Sequence, residues 1–393
     1  MPRVCSVIIG LVVCTADVQA SPVITNLGVL PGATISRASA ISGDGSAVAG
    51  GCYFPDGHER AFRWTASEGM RDLGVLPGCT ASYGLGINDD GLTVVGDSAA
   101  VVGDSRAFRW SAATGMQELG ALPGATWVSA CGVSGDGSSV VGYCFTSDGP
   151  TRGFLWTSGG GMIDIGAWPG GYDSFASAIS ADGSTVVGSA TDAEGGGGGF
   201  RWTAGGGMED IGSLSQGPLR FSAGSAVSHD GSVVAGMSYL ADGDSSACPR
   251  AVRWTAAGGM QNLGVLSGTT GSWADAISGD GSVVAGPCVG DDWSPRRAFI
   301  WTAETGMVDL NNRLASLGVD MTGWTLTDVR GLSADGSSLT GWGVFNGEER
   351  AWLVTALPEP ASLALLAIGL LCRARATRKQ CELRRGSSAS NRR

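Results

Sequence analysis

A Ser/Asn-x-Asp-Gly turn recurs through this chain. Its Asp-Gly pairs begin at Asp44, Asp90, Asp136, Asp182, Asp230, Asp280 and Asp335, at intervals of 46, 46, 46, 48, 50 and 55 residues. A near-constant period of that size marks a repeat architecture, in which one supersecondary module buries its apolar faces only against its neighbours. Whatever the chain does, it does so on a scaffold of repeated units.

Each period holds four short apolar segments. The first two, such as Ala178-Ile179-Ser180 and Thr185-Val186-Val187-Gly188, flank the Asp-Gly pair. Asp-Gly tolerates positive φ and so closes a tight hairpin. The third reads Ala-Phe-Arg-Trp at 61–64 and 107–110. Residues two apart in a strand share a face, so Phe and Trp point one way and Arg the other. The fourth reads Gly115-Met116-Gln117-Glu118-Leu119-Gly120, and a glycine-containing link makes it the partner of the third.

Four strands in about 46 residues describe a propeller blade. The sequence therefore predicts an all-β fold, a seven-bladed β-propeller of four-stranded antiparallel blades over residues 21–356. Phe62/Trp64, Phe108/Trp110, Phe154/Trp156, Phe200/Trp202, Val252/Trp254, Phe299/Trp301 and Trp352 recur at one position, as expected of packing between blades. The seventh unit lacks a fourth segment, whereas Ile24-Thr25-Asn26-Leu27-Gly28-Val29 has that segment's spelling and no blade before it. The expectation is that the N-terminal strand completes the last blade and brings Leu27 close to Leu353. Asn311–Thr327 is an insertion with the makings of one short helix, and Gly195–Gly199 reads as a flexible loop.

Both ends of the chain differ from the repeats. Arg3, the apolar stretch Val4–Val13 and the small residue Ala20 predict a secretory signal over 1–20, cleaved between Ala20 and Ser21. Beyond Leu357, Pro358-Glu359-Pro360 precedes twelve apolar or small residues, Ala361–Cys372, and then Arg373, Arg375, Arg378 and Lys379. Twelve residues rise only about 18 Å as a helix, short of the ~30 Å hydrocarbon core, so the segment predicts transient and not permanent membrane association. Residues 380–393 read as a disordered basic tail. The total charge is −11; the last 21 residues carry +7 and the first 20 carry none, leaving −18 for residues 21–372. An acidic body of that kind disfavours nucleic acid as a partner.

Six cysteines lie between the ends, at Cys52, Cys79, Cys131, Cys144, Cys248 and Cys288. In an exported chain an even number predicts disulfides. Cys131 and Cys144 flank one hairpin and are expected to face each other; Cys52 with Cys79 and Cys248 with Cys288 are the further candidates. There is no Cys-x-x-Cys pair, and His58 and His229 are the only histidines, so no metal site and no cofactor is expected.

The tail, PEPASLALLAIGLL followed by Arg and Lys, closely resembles the PEP-CTERM sorting signal of Gram-negative and related bacteria. That resemblance implies recognition by an exosortase-type enzyme, alongside signal peptidase at the N-terminus, and delivery to the envelope or the extracellular matrix. Pro358, Glu359, Pro360, Arg373 and Arg375 are the residues that carry it. The repeats resemble a bacterial extracellular family named for a His-Ala-Phe signature, with its following Trp, Gly-Met and Asp-Leu-Gly elements. Here Arg60, Arg106, Arg297 and Arg350 stand in place of the histidine.

These features predict a non-catalytic surface or matrix protein, a binding scaffold for an exopolysaccharide or a surface protein. A propeller-fold polysaccharide lyase or glycosidase is the alternative, and a purely structural repeat protein a third reading. Cleavage of a glycan needs paired carboxylates. The Asp-Gly aspartates recur as turn residues, so the loops that break the repeat are the better binding candidates: Asp242 and Asp244, and Asp291, Asp292 and Trp293.

Overall fold

The computed structural model describes residues 20–358, except 101–103, 147–148, 193–194, 216–219, 241–247, 292–293 and 295. Strands Ile35–Ile41, Ala47–Tyr53, Glu59–Thr65 and Gly69–Asp72 form one antiparallel sheet in chain order, and that order repeats along the molecule. The described strands make six sheets, none closed on itself. Four contain four strands. One contains five, because its first strand is split into Gly271–Ser272 and Ala276–Ile277. One contains eight, because the groups beginning at Ala81 and Ala125 touch through a single parallel bridge, Trp127 to Ser105.

The recurring turn explains its own spelling. Ser42 Oγ donates to Asp44 Oδ1 at 2.6 Å, the Ser46 amide donates to the same oxygen at 2.9 Å, and the Ala47 amide donates to Ser42 Oγ at 2.9 Å. Gly45 takes the positive φ of 73° that the turn requires. The same bonds recur at Asp136, Asp182, Asp230, Asp280 and Asp335. They hold these carboxylates below their ordinary range; at Asp230, bonds from Ser232 lead and bring it to about 2. These aspartates are consumed by their turns.

Packing between groups forms the core. Phe62, Phe108, Phe154, Phe200, Phe299 and Trp352 are fully buried. Each lies over a glycine of the neighbouring strand: Phe154 is paired with Gly142, where a Cβ would lie 1.9 Å from the Ser129 carbonyl oxygen. Every apolar cluster draws on two successive groups. One joins Ala47, Ala49 and Ala61 to Val94, Phe108 and Trp110. Another joins Leu27, Phe62 and Trp64 to Ala351 and Leu353, the two ends of the chain.

Polar latches reinforce these seams. On the face of the Asp-Gly turns, here the turn face, Arg63, Arg109, Arg201 and Arg253 donate to the carbonyls of Gly91, Gly137, Gly231 and Gly281 in the next group, at 2.6–3.1 Å. On the opposite loop face, Arg60, Arg152, Arg250 and Arg350 donate to the carbonyls of Thr80, Tyr172, Thr270 and Thr34. Arginines two residues before the buried Phe position therefore tie groups together.

Strand Val23–Asn26 pairs antiparallel with the last strand, Glu348–Thr355, in the register Val23 to Thr355 and Asn26 to Trp352. The Leu27 amide extends the ladder to the Ala351 carbonyl at 3.0 Å. The innermost strands touch in a cycle, from Ile35–Ile41 through each successive group to Trp324–Leu332 and back. The insertion forms the helix Leu310–Ser316, capped by Asp309, with Leu310 and Leu314 buried.

Two expectations are corrected. All six described cysteines are free. Cys144 pairs with Val128 and not with Cys131: the register at the turn, Val133 to Val140 and Gly132 to Val141, already places Cys131 short of Cys144, and a bulge between Ala130 and Gly132 leaves Cys131 without a ladder partner. Cys52 and Cys79 lie in different core clusters, and Cys79 Sγ donates to the Ser98 carbonyl. Cys288 is fully buried beside Met307, while Cys248 is half-buried in a strand-flanking loop. Gly197–Gly199, expected in a flexible loop, belong to strand Gly197–Thr203. Phe221, Trp168 and Ile211 occupy the space their side chains would fill, each within 2.7 Å of an added Cβ.

Candidate functional site

The innermost strands enclose a central well of 410 Å³, lined by the same positions of each group. The tier nearest the turn face is apolar: Ile41, Ile87, Val133, Ile179, Val227, Ile277 and Leu332. Below it, the residue preceding each Asp-Gly is small in five groups and is Asp89 or His229 in the other two. His229 Nε2 lies 3.7 Å from Asp89 Oδ1. An added Cβ on Gly43 or Gly135 would lie 2.5 or 2.3 Å from the Asp89 carboxylate, and one on Gly279 would lie 3.2 Å from the His229 ring. The small residues make room for these two side chains, which meet across the narrow end.

The loop-face end is wider and polar. Arg330 reaches Asp275 at 3.3 Å and Asp328 at 2.9 Å, and Arg296 Nε donates to Asp328 at 2.8 Å. Arg37 pairs with Glu349 at 2.7 Å. The guanidinium groups of Arg37 and Arg296 lie 4.7 and 5.1 Å from the centre of the Trp342 ring, a doubled cation–π contact. Burial lifts Asp275 to about 6, the Coulomb attraction of Arg330 notwithstanding, and burial raises Asp328 in the same sense.

A second polar cluster lies across the mouth. Asp97 is 7% exposed and accepts from Ser105 and Ser129, both at 3.0 Å. Glu59 and Tyr83 lie beside each other, and burial raises both. Burial pushes the Cys131 thiol to about 12, which keeps it protonated and a poor nucleophile. Next to this cluster Tyr143, Phe145 and Phe175 pack edge to face, with ring centres 5.4–6.2 Å apart. Phe145 is paired across the hairpin with Trp127. Trp127, Phe145 and nearby Tyr172 are 37%, 40% and 68% exposed.

Of the residues singled out from the sequence, Asp291 is exposed in a loop on this same face. Asp242, Asp244, Asp292 and Trp293 lie outside the described residues, as do Glu359, Pro360, Arg373 and Arg375. Ala20 and Ser21 are exposed, and Pro358 is half-buried on the turn face. The charged cluster was missed because its members come from separate strands of three groups. Its signal is the repeat position held by Ser39, Leu85, Cys131, Ser177 and Ser225, which becomes Asp275 and Arg330 in the last two groups.

Residues 356–379 match the family described as the PEP-CTERM protein-sorting motif. The motif indicates export and envelope sorting and implies recognition by an exosortase-type system. Among the described residues no helix is long and apolar enough to cross a membrane. No curated protein matches the chain. Among solved structures, oligogalacturonate lyase from Vibrio parahaemolyticus is similar at 12% identity, covering 86% of this chain and 94% of that one, with a TM-score of 0.55. The β-propeller domain of Cps50 (Swd1) from Myceliophteria thermophila covers 83% of this chain and 97% of that one, at 12% identity and a TM-score of 0.48. TolB from Acinetobacter baumannii, at 13% identity and a TM-score of 0.47, covers 68% of this chain, which spans 64% of TolB's length. At these identities the likeness concerns the fold alone: the chain is all-β, with propeller-like structural neighbours.

Proposed function

We propose that the chain is an exported, envelope-sorted, seven-bladed propeller whose last blade is completed by Val23–Asn26, and that it binds a glycan at its loop face without transforming it. The cyclic contacts of the innermost strands and the cluster joining Leu27 to Leu353 support the ring. The observation that carries the binding reading is the polarity of the well. One end is crossed by Asp89 and His229, while the other gathers three arginines, five carboxyl groups and exposed aromatic rings. Rings with a polar rim combine stacking area with oriented hydrogen bonds. The net acidity of the body favours neutral over acidic polymers.

A polysaccharide array probed with the full chain tests this. Expected are retention of a neutral polymer, loss of retention in Trp127→Ala and Phe145→Ala, and an unchanged polymer length. Absence of any polysaccharide binding overturns the reading; shortening of the bound polymer makes the protein an enzyme.

A further inference from the structure

Both ends of the described chain leave the turn face at one place. Val23 is paired with Thr355, so the residues that follow the signal and those that enter the tail are neighbours. The last strand is then clamped. Ala356 turns the chain with a φ of 58°. The Leu357 amide donates to the Ser337 carbonyl at 2.8 Å, beside the Asp335 turn, and its side chain is 5% exposed in the cluster of Leu310 and Leu332. Pro358 lines a 490 Å³ cavity with Ile300, Arg313 and Asp335. That cavity lies where Ile300 replaces a latch arginine.

Four residue steps separate Leu357 from Ala361, the start of the apolar run. A fully extended chain covers at most about 14 Å in four steps. A body fixed at Leu357 has no longer leash. From this geometry we propose that, while the tail engages a bilayer, the turn face lies against the lipid headgroups and the loop face points away from the membrane. The partner of the turn face is the bilayer surface, and the tether sets the contact. Around the exit the face presents the ionised turn carboxylates of Asp44, Asp280 and Asp335, which anionic headgroups repel. The contact therefore lasts only as long as the tail holds it. It leaves the loop-face well open outwards during sorting, independently of what that well binds.

Hydrogen exchange of the full chain on phosphatidylethanolamine–phosphatidylglycerol vesicles tests the orientation. Expected is slowed exchange at the turns around Asp280, Asp335 and Asp44, grading to none at Tyr172 and at the loop 54–58. A variant with twelve Gly/Ser residues inserted between Leu357 and Pro358 is expected to bind the vesicles and lose that protection. Protection of the loop face, uniform exchange on bound vesicles, or protection that survives the insertion each overturns the orientation. Failure of the native chain to bind vesicles overturns the tether on which it rests.

Discussion

Leu27→Ala tests whether the N-terminal segment is structural or merely attached. Leu27 is 5% exposed, packs with Phe62, Ala351 and Leu353, and its amide reaches the Ala351 carbonyl at 3.0 Å. Leu73 holds the equivalent place in an uninterrupted group: 6% exposed, with its amide 3.0 Å from the Ala61 carbonyl. Truncating a buried leucine costs about 2–5 kcal/mol, through lost transfer energy and the cavity left behind. Unfolding entropy near ~2.1 cal/mol/K per residue, over about 340 residues, gives about 0.7 kcal/mol/K, so Tm falls by roughly 3–7 °C. Differential scanning calorimetry should show Leu27→Ala and Leu73→Ala shifting Tm alike. Val23→Ala, at a position 54% exposed, should barely move it. A Leu27→Ala shift no larger than that of Val23→Ala refutes the closure, since a covalently attached but unpacked segment behaves that way.

The narrow end of the well yields a coupling. Gly135→Ala should destabilise the protein by forcing the Asp89 carboxylate away, and Asp89→Ala should relieve much of that loss, a double-mutant-cycle interaction of about 0.5–3 kcal/mol in urea melts. Asp275 yields a pH dependence. Raised to about 6 by burial, it holds a proton in the native state that the unfolded chain releases from about pH 4 upward. Its contribution to stability therefore falls as pH rises from about 4 to 6 and is level above that. Asp275→Asn should accordingly gain stability relative to the native chain between pH 4.5 and pH 7 in urea midpoints. Alkylation in denaturant without reductant should label all six cysteines from Cys52 to Cys288; protection of any pair means that a disulfide forms.

The strands and turns were legible because each repeats a local rule. Asp-Gly demands its hairpin whatever surrounds it, and the Phe-x-Trp alternation shows which face is buried. The cysteines misled because flanking a turn at unequal distances is not facing across it: the register Val133 to Val140 sets Cys144 opposite Val128, three residues from Cys131. Gly197–Gly199 misled for the opposite reason, since Trp168 and Phe221 arrive from neighbouring loops to fill the space beside them. The charged mouth was invisible in any single stretch. Asp275, Arg296, Asp328 and Arg330 converge only when two groups are laid side by side.

The turn-face latches are missing at three seams, where Leu155, Ile300 and Leu353 replace the arginine. Two of these flank the composite group built from both ends of the chain. There the loop face supplies what the turn face lacks: Arg296 and Arg330 bind Asp328 and Asp275 on one side, and Arg37 binds Glu349 on the other. The group built from both ends of the chain is thus held to its neighbours by ion pairs at the lip of the well. On the proposed reading, a ligand settling among these charges acts on those seams as well as on the well. Occupancy and the integrity of the seams then share one free energy, and salt that weakens these ion pairs loosens the molecule where its two ends meet.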